Sequence, residues 1–203
     1  MKRNVVIGVL LLLSPLAQAG KNYNYSSIDI IGGLYDLEVG DRRIDGKHYG
    51  AAARYEFSVV PIVIGGAVSK GDINSNELVN NAESKSFSYS VGAKFVWSPM
   101  ERLDFLPGIS IGRAEDTSGI GSSKIKLKST YYRYGIDSRF DVYQGLWLSA
   151  GVGRDNYKNK LFSNRTSYKI GVDYKPADQW ALGYERVWSS KQSTNNLFVR
   201  FFY

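Results

Sequence analysis

The sequence predicts an all-β protein, a transmembrane antiparallel up-and-down β-barrel of ten strands. Three observations lead to this prediction: an apolar leader at the start, a recurring alternation of apolar and polar residues, and a strongly apolar end, NNLFVRFFY. Successive side chains of a strand point to opposite faces of a sheet, so a period of two is typical of strands. Beyond the leader no stretch is long and apolar enough for a spanning helix, so we expect strands to cross the membrane.

The first 19 residues have the three parts of a secretory signal peptide. A basic start, MKR, precedes the apolar run VVIGVLLLLSPLAQA, whose last three residues form a small-residue cleavage site. The run is shorter than the ~20 residues of a spanning helix, so we expect cleavage after Ala19 rather than anchoring. The domains are then a signal peptide, 1–19, and one barrel, 20–203. We expect no nucleic-acid partner for an exported chain, although its net charge is +7.

Ten segments show strand-like alternation, most clearly residues 87–97. There, aromatic and aliphatic residues from Phe87 to Trp97 share one face, while Ser, Gly and Lys occupy most of the other. The predicted strands are 23–39, 47–58, 62–70, 87–97, 103–113, 130–140, 146–155, 166–175, 180–188 and 194–203.

Two strands carry an irregularity. In 23–39 the apolar residues change faces at Gly32-Gly33, so we expect a bulge there. Pro107 lies inside 103–113, and since proline removes a donor from the hydrogen-bond ladder, we expect a bulge or a local widening at that point as well.

The segments between the strands alternate in length. Tight turns are predicted at 58–61, 98–102, 141–145 and 175–179, and longer polar loops at 40–46, 71–84, 114–126 and 155–164, with a shorter loop at 189–193. This alternation is typical of a membrane barrel, with both termini on the short-turn side. If 23–39 and one weak strand fail to pair, the alternative is an eight-stranded barrel.

The two faces of the strands differ in a way that indicates which one meets lipid. The apolar face is bulky and aromatic, whereas the other face is mostly Gly, Ala and Ser with isolated charges. Small residues and a few long ionic side chains suit the confined interior of a narrow barrel, and large aromatic residues suit lipid and its interfaces. The alternative is a secreted soluble β-sandwich, which would turn its bulky apolar face inward.

The signal peptide, the alternating strands and the terminal Leu197, Val199, Phe201 and Tyr203 resemble those of small proteobacterial outer-membrane β-barrel proteins, most of all the short ten-stranded members. The resemblance implies a location in the bacterial outer membrane, in contact with its lipid. It also implies that these four residues are an assembly signal that the barrel-assembly machinery reads during biogenesis. That family usually ends in Phe, where this chain has Tyr203. We expect a monomer.

Charged residues on the inward parity predict a mixed-sign network in the lumen, because charges in a confined interior must pair or hold water. We expect this network to fill the lumen, in an occluded barrel with a structural or surface-interaction role. The alternative is a narrow channel for small solutes or ions. The predicted lumen charge network is Arg54, Glu56, Lys94, Asp104, Arg133, Asp137, Arg139, Lys169, Asp173, Lys175, Glu185 and Arg200.

Basic residues near the longer loops predict an extracellular rim that contacts lipopolysaccharide phosphates or anionic glycans. A solvated surface is the alternative interpretation, because runs of charge usually are one. The rim consists of Arg42, Arg43, Lys124, Lys126, Lys128, Lys158 and Lys160.

Little in the sequence points to an enzyme. The chain has no Cys and one His, His48, so no thiolate metal site is possible and we expect no metal or cofactor. His48 with Asp45 and either Ser69 or Ser86 is the one catalytic arrangement considered, which would suit a lipid A-modifying barrel enzyme. We expect a protein that is not an enzyme.

Overall fold

The computed structural model describes residues 24–39, 42–57, 59–75, 82–120 and 123–203. The predicted signal peptide, 1–19, lies outside the described residues. The strands are β1 (Ser27–Val39), β2 (Arg42–Glu56), β3 (Ile62–Ser75), β4 (Ala82–Phe95), β5 (Trp97–Met100), β6 (Leu103–Ile120), β7 (Ser123–Tyr143), β8 (Leu146–Tyr157), β9 (Arg165–Ala177), β10 (Trp180–Trp188) and β11 (Gln192–Phe202). In the described part of the chain, no helix is long and apolar enough to cross a membrane.

The strands form a closed antiparallel barrel with ten strand positions. Each position pairs with its neighbours in sequence, and β1 pairs with β11 to close the sheet. β5 continues β4 along the same edge of β6, because Lys94 faces Gly108 and Trp97 faces Phe105 in one register. The prediction of a ten-stranded barrel is therefore confirmed, and the eight-stranded alternative is wrong.

The strands extend further toward the loops than the sequence predicted. β6 and β7 pair without a break from Leu103–Phe140 to Ile120–Ser123, so most of the predicted loop 114–126 is a hairpin. Parts of the predicted loops 40–46 and 71–84 likewise belong to β2, β3 and β4, and β8 continues into 155–164. Those loop boundaries were wrong. Where both faces of a hairpin meet water, both carry polar residues, so the amphipathic pattern ends although the backbone ladder continues.

Three of the four short turns consist of two residues, at 101–102, 144–145 and 178–179. Gln144 and Gly145 both have positive φ, 30° and 88°, as two-residue hairpins prefer. Glycine suits the second of these positions because it has no Cβ to oppose a left-handed backbone.

The bulge predicted at Gly32-Gly33 is absent from the pairing of β1. The register runs unbroken through these residues to β2 on one side and β11 on the other. Tyr35 therefore points into the lumen, where its ring lies against Gly46 of β2. The apparent change of face in the sequence arises because an aromatic side chain lies in the lumen where neighbouring glycines leave it room.

Pro107 causes no register shift between β6 and β7. On its other side, the ladder to β4 and β5 pauses between Lys94 and Trp97, since proline has no N–H to donate. Of the two alternatives predicted at Pro107, a bulge or a local widening, the bulge is therefore absent. The register shifts of the barrel lie beside three short turns, at Trp97/Met100, Asp141/Tyr143 and Trp180/Leu182.

The outside of the barrel is apolar, and a small apolar cluster lies inside it at the short-turn end. Large residues such as Ile109, Val91 and Leu197 are exposed on the outer face. The inner cluster consists of Tyr25, Val63, Val96, Leu106 and Trp147, with Phe202 packed against it.

Candidate functional site: the charged lumen

The twelve charged residues predicted for the lumen all lie on the inward parity of their strands. Ion pairs between strands that are not neighbours in the sheet show this directly. Arg200 of β11 contacts Asp173 of β9, and Lys94 of β4 contacts Asp137 of β7, which requires both members of each pair to point inward.

Arg200 lies at the centre of the group nearest the short turns. Its Nε and Nη2 donate to the two carboxylate oxygens of Asp29 over 2.8 and 3.0 Å, and its Nη1 donates to Asp173 over 3.0 Å. The exposed fractions are 5% for Arg200, 2% for Asp29 and 3% for Asp173. Charges buried to this degree are tolerated only when they are paired and hydrogen-bonded, and the bidentate geometry satisfies that condition.

Two further arginines extend this group across the barrel. Arg54 contacts Asp29 at 2.8 Å, and Arg139 contacts Asp173 at 3.6 Å. The result is an arginine–aspartate chain in the order Arg54, Asp29, Arg200, Asp173, Arg139, in which the sign of charge alternates at every step.

Tyr25, which precedes β1, enters the barrel at the same end. Its hydroxyl donates to Asp104 over 2.7 Å, and Ser98 donates to the other oxygen of the same carboxylate. The Arg139 guanidinium lies 5.4 Å from the centre of the Tyr25 ring. Tyr25 is 3% exposed, so the residues just before the first strand line the short-turn end from within.

Two predicted lumen residues make more peripheral contacts at this end. Glu56 accepts a hydrogen bond from the backbone N–H of Tyr25. Lys175 reaches Asp178 in the last short turn at 3.3 Å, and its Nζ lies 5.2 Å from the Phe202 ring.

A second group occupies the middle of the lumen. Lys94 and Lys169 both contact Asp137, the latter at 2.8 Å, and Lys169 also lies 3.6 Å from Glu185. These four residues come from β4, β7, β9 and β10, so they connect opposite walls of the barrel.

A third group lies toward the loop end and centres on Asp155. Arg133 donates to both oxygens of Asp155 over 2.6 and 2.8 Å, and Arg165 donates to it over 3.1 Å. Arg165 also donates to Gln192 over 2.6 Å, which ties β9 to β11.

Sequence reasoning missed Asp29, Asp155 and Arg165 as members of the lumen network. Asp29 lies directly opposite Arg200 in the β1–β11 register, and that closing pair would have revealed it. Asp155 and Arg165 fell at the boundaries of a predicted loop, but they face each other across the β8–β9 ladder.

Between the arginine–aspartate chain and the Asp155 group lies a cavity of about 320 Å³. It exists because many inward positions are Gly, Ala or Ser; Gly108 and Gly135, for example, face each other across β6 and β7. Its charged lining residues are Arg54, Lys94, Arg133, Asp137, Lys169 and Glu185.

His48 points into the lumen without Asp45, the acid considered for catalysis, beside it. Asp45 lies on the opposite, outward parity of β2 and is exposed, and the Ser69 hydroxyl is paired with that of Ser88 at 2.8 Å. The arrangement of His48 with Asp45 is therefore not formed. Within the described residues, no cluster of three His, Cys, Asp or Glu side chains is suited to hold a metal ion.

The predicted basic rim is divided among different surfaces. Arg42 and Arg43 begin β2, and their side chains lie outside the described part of the structure. Lys124, Lys126 and Lys128 lie on the outward parity of β7. Lys158 and Lys160 follow β8, where Lys158 lies 5.5 Å from the centre of the Tyr132 ring.

The C-terminal residues Leu197, Val199, Phe201 and Tyr203 share the outward parity of β11. Tyr203 contacts the first strands: its hydroxyl donates to the carbonyl of Arg54 over 2.7 Å, and its own carbonyl accepts from Asn24 over 3.2 Å. Tyr203 is thus held against β2 and against a residue that precedes β1.

Comparisons with known proteins show the fold of the chain and no more than the fold. No protein family matches the chain, and no curated protein matches it either. The transport unit of the autotransporter AIDA-I from Escherichia coli is similar at 10% identity and a TM-score of 0.50, covering 98% of each chain. The translocator domain of the autotransporter NalP from Neisseria meningitidis is similar at 13% identity and a TM-score of 0.50, covering 98% of this chain and 95% of that one.

A third solved structure, the KdgM porin in complex with disordered oligogalacturonate, has 12% identity and a TM-score of 0.47, covering 87% of this chain and 99% of that one. The class that the fold defines is thus the closed antiparallel barrel found in bacterial outer-membrane proteins. At these identities, the similarity extends to the fold and not to the role of the chain.

Proposed function

We propose that the protein is an integral barrel of the bacterial outer membrane, closed at its short-turn end, with a structural or interactive role at the cell surface. The observation that carries this proposal is the arginine–aspartate chain across the lumen, together with Tyr25 beside it.

The distribution of polarity supports the membrane location. Buried charges lie inside and exposed aliphatic and aromatic side chains lie outside, the reverse of a soluble sandwich. β10 begins at Trp180 and ends at Trp188, and its nine residues are about the length that a tilted strand needs to span a bilayer. Trp188 stacks on Tyr168, and Trp97 packs on Phe105 at the other end, which fits two interfacial aromatic girdles.

The energetics of the lumen support closure. Opening a path past Arg200 would separate it from Asp29 and Asp173, leaving three buried charges to find water in a narrow space. The apolar cluster around Tyr25 lies at the same height and contributes packing that water would not replace.

A cavity labelling experiment tests this proposal. Because the chain contains no Cys, a thiol reagent can react only with the Cys that is introduced. Ser90 lines the cavity, so we expect a membrane-impermeant thiol reagent to label Ser90→Cys in oriented vesicles from the loop side alone. Asp178→Cys, in an exposed short turn, is the matched control and is expected to react from the opposite side. Equal labelling of Ser90→Cys from both sides would contradict closure.

The cavity itself favours a second candidate function, a narrow channel for small ions. Its volume of about 320 Å³ accommodates several waters beside Lys94, Lys169 and Glu185. The same labelling experiment separates the two candidates, because a channel must admit solutes from both ends.

We further propose that the protein is a monomer and that β11 is read by the barrel-assembly machinery. β11 exposes three large outward residues, Leu197, Phe201 and Tyr203. Another protein could recognise them before lipid covers the strand, which supports this proposal.

A further inference from the structure

Outside the lumen, we propose that Arg113, Lys126 and Lys128 form a binding site for the phosphate group of a glycolipid in the outer leaflet. The site lies on the outer wall where β6 and β7 rise above the apolar surface. It is independent of whether the lumen conducts.

The three cations are held together by one carboxylate, Glu115. The Nζ of Lys126 lies 2.7 Å and that of Lys128 3.4 Å from the Glu115 oxygens, and Arg113 Nε lies 3.7 Å away. The hydrogen bond from Lys126 lowers the pKa of Glu115, so the carboxylate is charged at neutral pH. Mutual repulsion would otherwise disperse three neighbouring cations, and Glu115 keeps them in one cluster.

The cluster keeps an excess of positive charge that faces outward. Three cations surround one anion, and their side chains are 45–52% exposed while that of Glu115 is 19% exposed. Because Glu115 is less exposed than the three cationic side chains, an approaching anion meets donors first. Phosphate oxygens suit such donors because charge-assisted hydrogen bonds are short and strong.

The position of the cluster favours a lipid as the source of the phosphate. Arg113 is two residues above Ile111, which faces Tyr132 across the ladder, and Ile109 follows below. These three residues are exposed on the outer face. A phosphate bound at the cationic heads would thus place the attached acyl chains along Ile111 and Ile109, where a barrel in a membrane meets hydrocarbon.

Native mass spectrometry of the detergent-solubilised barrel tests the proposal with diphosphoryl lipid A as the probe. Arg113/Lys126/Lys128→Gln is expected to bind it about tenfold more weakly than the wild type, the equivalent of losing one strong charge-assisted contact. Lys47/Lys70/Lys191→Gln removes the same number of charges at exposed positions away from Glu115, and its affinity is expected to stay within about twofold of the wild type.

Two further probes identify the source of the phosphate. Fully dephosphorylated lipid A is expected to bind the wild type as weakly as diphosphoryl lipid A binds the Arg113/Lys126/Lys128 variant, and inorganic phosphate is expected not to be retained. Undiminished binding of diphosphoryl lipid A by that variant would overturn the proposal, and so would equal binding of the dephosphorylated lipid. Inorganic phosphate that binds as tightly as the lipid would show a site for soluble anions and would also overturn it.

Discussion

Arg200 and Asp29 form a bidentate ion pair at the seam where the last strand meets the first, with donor–acceptor distances of 2.8 and 3.0 Å. They are direct partners in the β1–β11 register, so the pair can form only when the barrel is closed. The same contact therefore links the topology of the fold to the charge pattern of the lumen.

Breaking this pair is expected to destabilise the barrel strongly. Arg200→Ala leaves Asp29 and Asp173 buried without their central partner, and removing one member of a buried pair costs about 3–5 kcal/mol. The free energy of unfolding by urea in phospholipid vesicles measures this loss. Asp178→Asn is the control, because Asp178 is fully exposed beside Lys175, and no measurable change is expected. Equal stability of Arg200→Ala and wild type would show that the pair contributes nothing.

The hydroxyl of Tyr25 is expected to contribute separately from its ring. Tyr25→Phe removes the donor to Asp104 and is expected to lower the free energy of unfolding by about 1–3 kcal/mol. Tyr25→Ala also removes the ring from its apolar cluster, with an expected loss of about 3–5 kcal/mol. Tyr143→Phe, at the exposed end of β7, serves as the control. If the Phe and Ala variants at position 25 are equally stable, the ring does not pack as described.

A charge placed at an exposed apolar position is expected to destabilise the protein only where that position faces lipid. Ile109 and Ile125 are exposed to a similar degree, 71% and 67%, but Ile109 lies on the outward parity of β6, whereas Ile125 lies on the inward parity of β7 near the tip of the β6–β7 hairpin. Ile109→Arg is expected to cost about 2–4 kcal/mol in vesicles, and Ile125→Arg about 0–1 kcal/mol. Vesicle unfolding curves of the two variants give the comparison. Equal effects would place the two residues in the same environment and argue against a lipid-facing outer wall.

Overpacking at Gly46 is expected to disturb the loop end of the lumen. A Cβ at this position meets the Tyr35 ring and the carbonyl of Asp72, so Gly46→Val is expected to cost about 1–3 kcal/mol. Gly66→Val provides a control, since Gly66 lies on the outward parity of β3 with more room for a Cβ. The temperature at which each variant unfolds, read from its heat-modifiable mobility on gels, measures the loss of stability. A smaller loss for Gly46→Val than for Gly66→Val would contradict the packing of Tyr35.

The strict period of two made most of the barrel predictable from the sequence. Residues 87–97 follow the pattern except at Val96, and β4 with β5 places Ser88, Ser90 and Lys94 inward as expected. The pattern failed where an inward residue is itself aromatic. Tyr35 looked like a change of face, and the expected bulge obscured the inward position of Asp29 in the same strand.

The ends of the strands were less predictable for a physical reason. Beyond the membrane both faces of a hairpin meet water, so amphipathic alternation disappears although the backbone ladder continues. That is why Glu115 was assigned to a loop and Asp155 to the boundary between a strand and a loop, although each lies on a paired strand. Which cations gather around Glu115 depends on the β6–β7 register, which the sequence alone does not specify.

Planar-bilayer recording of the wild-type protein tests the central claim, a closed barrel within a membrane, most directly. The inserted, heat-modifiable form is expected to give no stable conductance steps, because the arginine–aspartate chain and Tyr25 occupy the short-turn end of the lumen. Stable steps of ordinary porin size from the same preparation would contradict the account.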